Sequence, residues 1–99
     1  MLIFVTKFGI FAKLLNHGMP TLHIINSIKI DVYSRDHLPP HFHALYAEHE
    51  ILIVIKTLKT YAGYLPIRQH KMILEWAKSE EIKNFLLTNF KRLNPDLRQ

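Results

Sequence analysis

The chain has 99 residues, a formal charge of +5 from thirteen Lys and Arg against eight Asp and Glu, and no cysteine. One small core is what this length supports, and the missing cysteines exclude a disulfide scaffold, thiolate metal sites and a cysteine nucleophile while fitting a reducing cytoplasm. The positive balance favours anionic partners such as nucleic acid, an acidic protein surface or a phosphorylated ligand, and no stretch approaches the roughly 20 apolar residues of a membrane span.

Residues 1–18 read as an N-terminal extension. Phe4, Phe8, Phe11 and Leu15 recur at helical spacing, which predicts a short amphipathic helix ended by Asn16, His17 and Gly18. Met19-Pro20-Thr21 then reads as a second beginning, so residues 19–94 are expected to form a single α+β domain and residues 95–99 a tail. From Thr21 the pattern changes to period two. Leu22 and Ile24, then Ile28, Ile30 and Val32, alternate with polar residues and predict two half-buried strands joined by an Asn26-Ser27 turn. A third strand is expected over His43 to Ala47 and a fourth over Ile51 to Ile55, with Glu48-His49-Glu50 as the bend between them. The fourth is apolar on both faces and reads as central.

Lys56 to Tyr64 is a connection or a short further strand. Pro66 suits the first residue of a helix whose stripe is Ile67, His70, Ile73, Leu74 and Ala77. Ser79 is an N-cap for a second helix, with Glu80 and Glu81 where acids suit the dipole. Ile82, Phe85, Leu86, Asn89, Phe90 and Leu93 carry its stripe, Lys91 and Arg92 its last turn, and Pro95 stops it. Phe85, Phe90 and Trp76 are expected in the core. The fold class is therefore α+β: a small antiparallel sheet of about four strands packed against two C-terminal helices, with an extra N-terminal helix.

The segment richest in chemistry is His37-Leu38-Pro39-Pro40-His41-Phe42-His43, which holds three of the seven histidines. Its consecutive prolines stiffen it, and Leu38 before a proline is pushed towards extended geometry. Histidine is the side chain that trades a proton near neutrality. If a strand begins at or before His41, then His41 and His43 share one face with Cα atoms roughly 6.5–7 Å apart, and Phe42 points into the core. His37 could fold back to join them, and His23 and His49 could approach from neighbouring strands.

Three uses compete. In one, the H-x-H pair and a third histidine or Glu48 bind zinc or iron. In another, two histidines act as general base and acid in RNA cleavage through the ribose 2′-hydroxyl, with Lys29, Arg35, Lys56 or Arg68 countering phosphate charge and Tyr33 or Tyr46 donating a proton or stacking a base. In the third, the rings are structural and bond carbonyls left free around the prolines. Arg68, Lys71 and Lys78 could form a basic helix face that touches phosphates. The helical pair is not expected to read DNA, because its joint is tight and the second helix begins with Glu80-Glu81.

Met19-Pro20-Thr21, the strand from Ile28 to Tyr33, the block His37 to Ala44, Gly63-Tyr64-Leu65-Pro66 and Leu74-Glu75-Trp76-Ala77 occur here in an order that resembles the domain-of-unknown-function family 4160. The resemblance runs from Met19 to about Arg92. It implies a small cytoplasmic bacterial protein, the toxin of a toxin–antitoxin module, paired with a small antitoxin-like protein encoded by its neighbour. Carried onto this chain, the motif positions are His37, Pro39, Pro40, His41 and His43. The chain departs from the family's pattern in the extension before Met19, in Phe85 to Phe90 where relatives commonly have an Asn-Trp pair, and in a tail without the final apolar strand of many relatives.

The expectation that follows is a toxin acting by metal-independent RNA cleavage, or by RNA binding. His41 and His43 would be base and acid, and His37 an orienter or third participant. Arg35, Lys56, Arg68 and Tyr46 would contact RNA. No cofactor, metal or membrane partner is assigned. The alternatives are a non-enzymatic module that binds its neighbour-encoded partner and a metal-dependent enzyme built on the histidine cluster.

Overall fold

A computed structural model of the protein describes residues 21–97. The helix expected within residues 1–18 lies outside the described residues. Five strands come first: β1 (Thr21–Ile25), β2 (Ile28–Asp31), β3 (His41–Tyr46), β4 (His49–Val54) and β5 (Thr60–Tyr64). Two helices follow, α1 (Ile67–Ala77) and α2 (Glu80–Leu93). The strands form one sheet in chain order, and every neighbouring pair is antiparallel. The architecture is the expected α+β arrangement with one strand more than expected. Lys56 to Tyr64 is both a connection and a strand.

Turn chemistry explains the register. Asn26 and Ser27 both have positive φ, 47° and 68°, and Ile25 pairs with Ile28 across them. Two left-handed central residues mark the type I′ turn, whose twist matches that of a hairpin. The β3–β4 hairpin is equally tight. Tyr46 pairs with His49, Ala47 takes a left-handed φ of 53°, and the turn is confined to Ala47 and Glu48. His49 and Glu50, expected in the bend, belong to β4 because Ala47 turns the chain early.

Two bulges re-aim side chains. In β1, Thr21 pairs with Asp31 but His23 with Ile30, which leaves Leu22 as the extra residue. The alternation expected for β1 breaks there: Leu22 and Ile25 pack on the core, and Ile24 is 62% exposed. In β5, Ala62 pairs with Leu52 and Thr60 with Ile53, so Tyr61 is the extra residue. A bulge bends its strand and redirects the unpaired residue, and here Tyr61 is redirected towards the histidine segment.

Alternation along β2, β3 and β4 builds the core. Ile28, Ile30, Phe42, Ala44, Ile51 and Ile53 are fully buried and form one cluster with Ile73 and Ala77 of α1 and Leu86 and Phe90 of α2. Leu52, on the other face of β4, is also buried, as a central strand requires. Trp76 packs edge-on against Phe42 and stacks on His23. Pro66 sits at the N-cap of α1 rather than inside it, and the Ser79 hydroxyl caps α2 by accepting from the Ile82 N–H. Ile67 and Phe85, expected in helix stripes facing the core, are exposed instead, since each lies at the rim of the face its helix buries. Among the described residues no helix is long and apolar enough to cross a membrane.

Replacing Ser27 by Gly removes the cost of a side chain at a left-handed position. Ser27→Gly is expected to raise stability by about 0.5–1 kcal/mol in urea unfolding. A loss of stability would contradict the type I′ assignment.

Candidate functional site: a carboxylate between two histidines

The segment from Val32 to Pro40 leaves β2 and returns as β3, and four interactions set its path. Arg35 turns the chain with a φ of 57°. The Asp36 N–H donates to Asn94 Oδ1 at 2.8 Å. Asn94 Nδ2 donates to the Tyr33 carbonyl at 2.9 Å and to that of Phe90 at 3.0 Å. On the far side, Ile55 N–H donates to the Pro40 carbonyl at 3.0 Å, fastening the segment to the end of β4. Asn94 is buried at the C-cap of α2, so one amide ties the helix end to both sides of the Arg35 turn.

This path delivers the Asp36 carboxylate to β3. Its Oδ1 accepts from the His37 N–H at 2.9 Å. Its Oδ2 lies 3.1 Å from Nε2 of His41 and 3.1 Å from Nε2 of His43. The two rings share a face of β3, as the spacing predicts, and Phe42 between them enters the core. Each ring is also held from behind. His41 Nδ1 lies 2.7 Å from the Pro39 carbonyl, and His43 Nδ1 lies 2.9 Å from Glu50 Oε2. A carbonyl only accepts, so His41 Nδ1 carries the proton. Register explains Glu50: Leu45 pairs with Glu50 and His43 with Leu52, which sets Glu50 diagonally across from His43 on the same face.

The cluster is almost dry. His41 is 0% exposed and His43 4%. Burial alone would push the Asp36 carboxyl up, but His41 and His43 at hydrogen-bonding distance outweigh it and hold the group well below the usual carboxylate range. Asp36 is therefore an anion throughout the physiological range. Beside it, Tyr33 packs edge-on against His43 and donates to Asp31 Oδ2 at 2.8 Å. Burial and the Asp31 charge push its phenol up, so it remains a neutral donor. Thr21 bonds the other Asp31 oxygen at 2.9 Å.

A more exposed rim surrounds the cluster. The His37 side chain is 57% exposed, its ring lies over His41, and its Nε2 is 3.5 Å from Asp36 Oδ1. Tyr61, 47% exposed, approaches both His37 and His41. A cleft of about 330 Å³ opens beside Asp36, lined by Arg35, Asp36, Asn94 and Pro95 among others.

Of the residues expected from sequence, His37, His41 and His43 do converge. Their exposure divides them: His37 meets solvent, whereas His41 and His43 are enclosed and engage Asp36. That geometry differs from a solvent-facing base and acid. Arg35 and Lys56 are exposed on the segment and on the adjoining β4–β5 turn. Arg68 is exposed on the first turn of α1, and Tyr46 is half-buried against the core; neither touches the cluster. His23 stacks on Trp76 and His49 packs near Tyr64, so neither joins it. Glu48 is exposed beside His49 instead of approaching His41.

Asp36, Glu50 and Asn94 are the residues that sequence reasoning missed. A two-residue hairpin would have placed Glu50 opposite Leu45. Asp36 and Asn94 depend on a contact 58 positions apart in the chain, for which the local sequence carries no signal. Asn94→Leu removes partners from the Asp36 N–H and the Tyr33 carbonyl. It should cost about 2–3 kcal/mol in urea unfolding, and a loss under about 0.5 kcal/mol would show that Asn94 does not anchor the segment.

No curated protein and no solved structure matches the chain. The family described as Domain of unknown function (DUF4160) matches residues 27–90, a span that contains the Asp36–His41–His43 cluster, four of the five strands, α1 and most of α2. The chain belongs to this family.

Proposed function

We propose that the protein acts on RNA in the bacterial cytoplasm as the toxic component of a toxin–antitoxin pair, with its active surface at the histidine segment. A small neighbour-encoded protein would cover that basic surface and silence it. The observation that carries this reading is a buried cluster of titratable groups beneath an exposed rim of proton-transfer, aromatic and cationic side chains. Buried charged networks are a costly way to gain stability, and perturbed carboxylates concentrate at functional sites.

The roles follow from exposure. Of the three histidines in the segment, His37 is the one that an RNA can touch, and it is the general acid or base. Tyr61, redirected by its bulge, offers a ring on which a base can stack. Arg35 and Lys56 counter the phosphate charge. His41 and His43 position Asp36 and support the surface from within. RNA cleavage, RNA binding and growth arrest are the corresponding activities.

A second reading has its own support. β5 is an edge strand of the described sheet, and Thr60–Tyr64 carries no charge or proline, the usual guards of an edge. A partner strand could add there, making the protein an interaction module.

Induction of the parent in a bacterium should arrest growth and shorten cellular RNA. His37→Ala, an exposed change that leaves the core intact, should reduce RNA cleavage by the purified protein on the order of 100-fold. Purified, folded protein that neither binds nor cuts RNA would remove this reading and leave the edge-strand module.

A further inference from the structure

We infer that Asp36, His41 and His43 form a binding site for one first-row divalent transition ion, ligated by Asp36 Oδ2 and the Nε2 atoms of both histidines. The inference does not depend on RNA being the target.

The first argument is an unpartnered nitrogen. His41 Nε2 is buried and makes no hydrogen bond, although it lies 3.1 Å from Asp36 Oδ2. The distance suits a hydrogen bond but the direction does not: a proton on Nε2 would not point at the oxygen. With Nδ1 protonated by its bond to Pro39, a neutral His41 directs a lone pair towards a carboxylate. A charged His41 would instead bury a misaligned N–H. Either form is expensive for a ring with no solvent exposure. A cation shared by Nε2 and Oδ2 removes the conflict, because both atoms then act as donors to it.

The second argument is spacing. One donor atom from each of the three residues lies within 4.8 Å of the others, and both nitrogen–oxygen separations are 3.1 Å. Bonds of about 2.0–2.2 Å to nitrogen and oxygen put neighbouring ligand atoms about 2.8–3.1 Å apart in an octahedral shell and about 3.3–3.6 Å apart in a tetrahedral one. The two nitrogen–oxygen separations match the octahedral range.

The third argument is the support behind the ligands. Metal-bound histidines usually give their other ring N–H to a carboxylate or a backbone carbonyl, which fixes the tautomer and the ring plane. Here His41 has the Pro39 carbonyl and His43 has Glu50. Asp36 is fixed in turn by His37 N–H at Oδ1 and by Asn94 at its own N–H.

Two imidazoles and one carboxylate select for zinc, cobalt, iron or manganese, and against calcium and magnesium, which prefer oxygen throughout. Three protein ligands leave at least one coordination position for water or a phosphate oxygen. Asp36 is the most exposed of the three, with 12% of its side chain accessible, so the open position lies on its side, under His37.

The test uses the full chain without a polyhistidine tag, stripped with a chelator and titrated with Co2+ while visible absorption is recorded. One equivalent should saturate the signal, and Zn2+ should displace it. Glu50→Gln should weaken binding about 10–100-fold, and Asp36→Asn by more. Imidazole 15N spectra of the parent need no variant: Zn2+ should move the Nε2 signals of His41 and His43 while His41 Nδ1 stays protonated. Folded parent that takes up no ion would overturn the inference. So would shifts confined to exposed histidines such as His23 and His37, or an affinity unchanged in folded Asp36→Asn.

Discussion

A single carboxylate oxygen, Asp36 Oδ2, set between the Nε2 atoms of His41 and His43 is the contact on which the rest of the molecule converges. Four parts of the chain must be in place for it to exist. The Arg35 turn supplies Asp36, β3 supplies both rings, β4 supplies Glu50 behind His43, and the end of α2 supplies Asn94 behind Asp36. The core fixes the distances between those parts. Phe42 enters the apolar cluster from between the two histidines, so the packing that orders β3 also orients the rings.

Such a cluster is a poor way to gain stability. Polar groups with little access to water must all find partners, and a partly satisfied network is worse than an apolar one. At His41 Nε2 that satisfaction fails. Nearby Asp31, by contrast, is satisfied by protein alone, through Tyr33 and Thr21. Asp31 and Asp36 thus differ in kind. Asp31 is closed by hydroxyl donors, whereas Asp36 meets an imidazole whose free nitrogen is not aligned with it. Local rules of satisfaction tend to break where function intervenes, and here the break lies under the exposed His37–Tyr61 rim.

Much of this fold was legible because local chemistry dictated it. Asn26-Ser27 could be read as a turn, Ser79 as a cap, Ile51 to Ile55 as a central strand, and His41 and His43 as neighbours on one face. Where reading failed, the cause was a residue that shifted the pleat. The bulge at Leu22 turned Ile24 outwards, and the left-handed Ala47 drew His49 and Glu50 into β4. The bulge at Tyr61 made that residue, rather than Tyr46, an exposed aromatic beside the histidines. The histidines themselves announced the site, but the acids that define its chemistry did not. Glu50 needs the hairpin register, and Asp36 needs a helix cap far along the chain.

The most direct test of the account is diffraction from crystals grown with Zn2+, with data collected at the zinc absorption edge. The account predicts one anomalous peak about 2.0–2.2 Å from Asp36 Oδ2 and from Nε2 of His41 and His43. It also predicts that His41 Nδ1 stays on the Pro39 carbonyl. Crystals that show zinc only at exposed histidines, with Asp36 bonded directly to both rings, would contradict it.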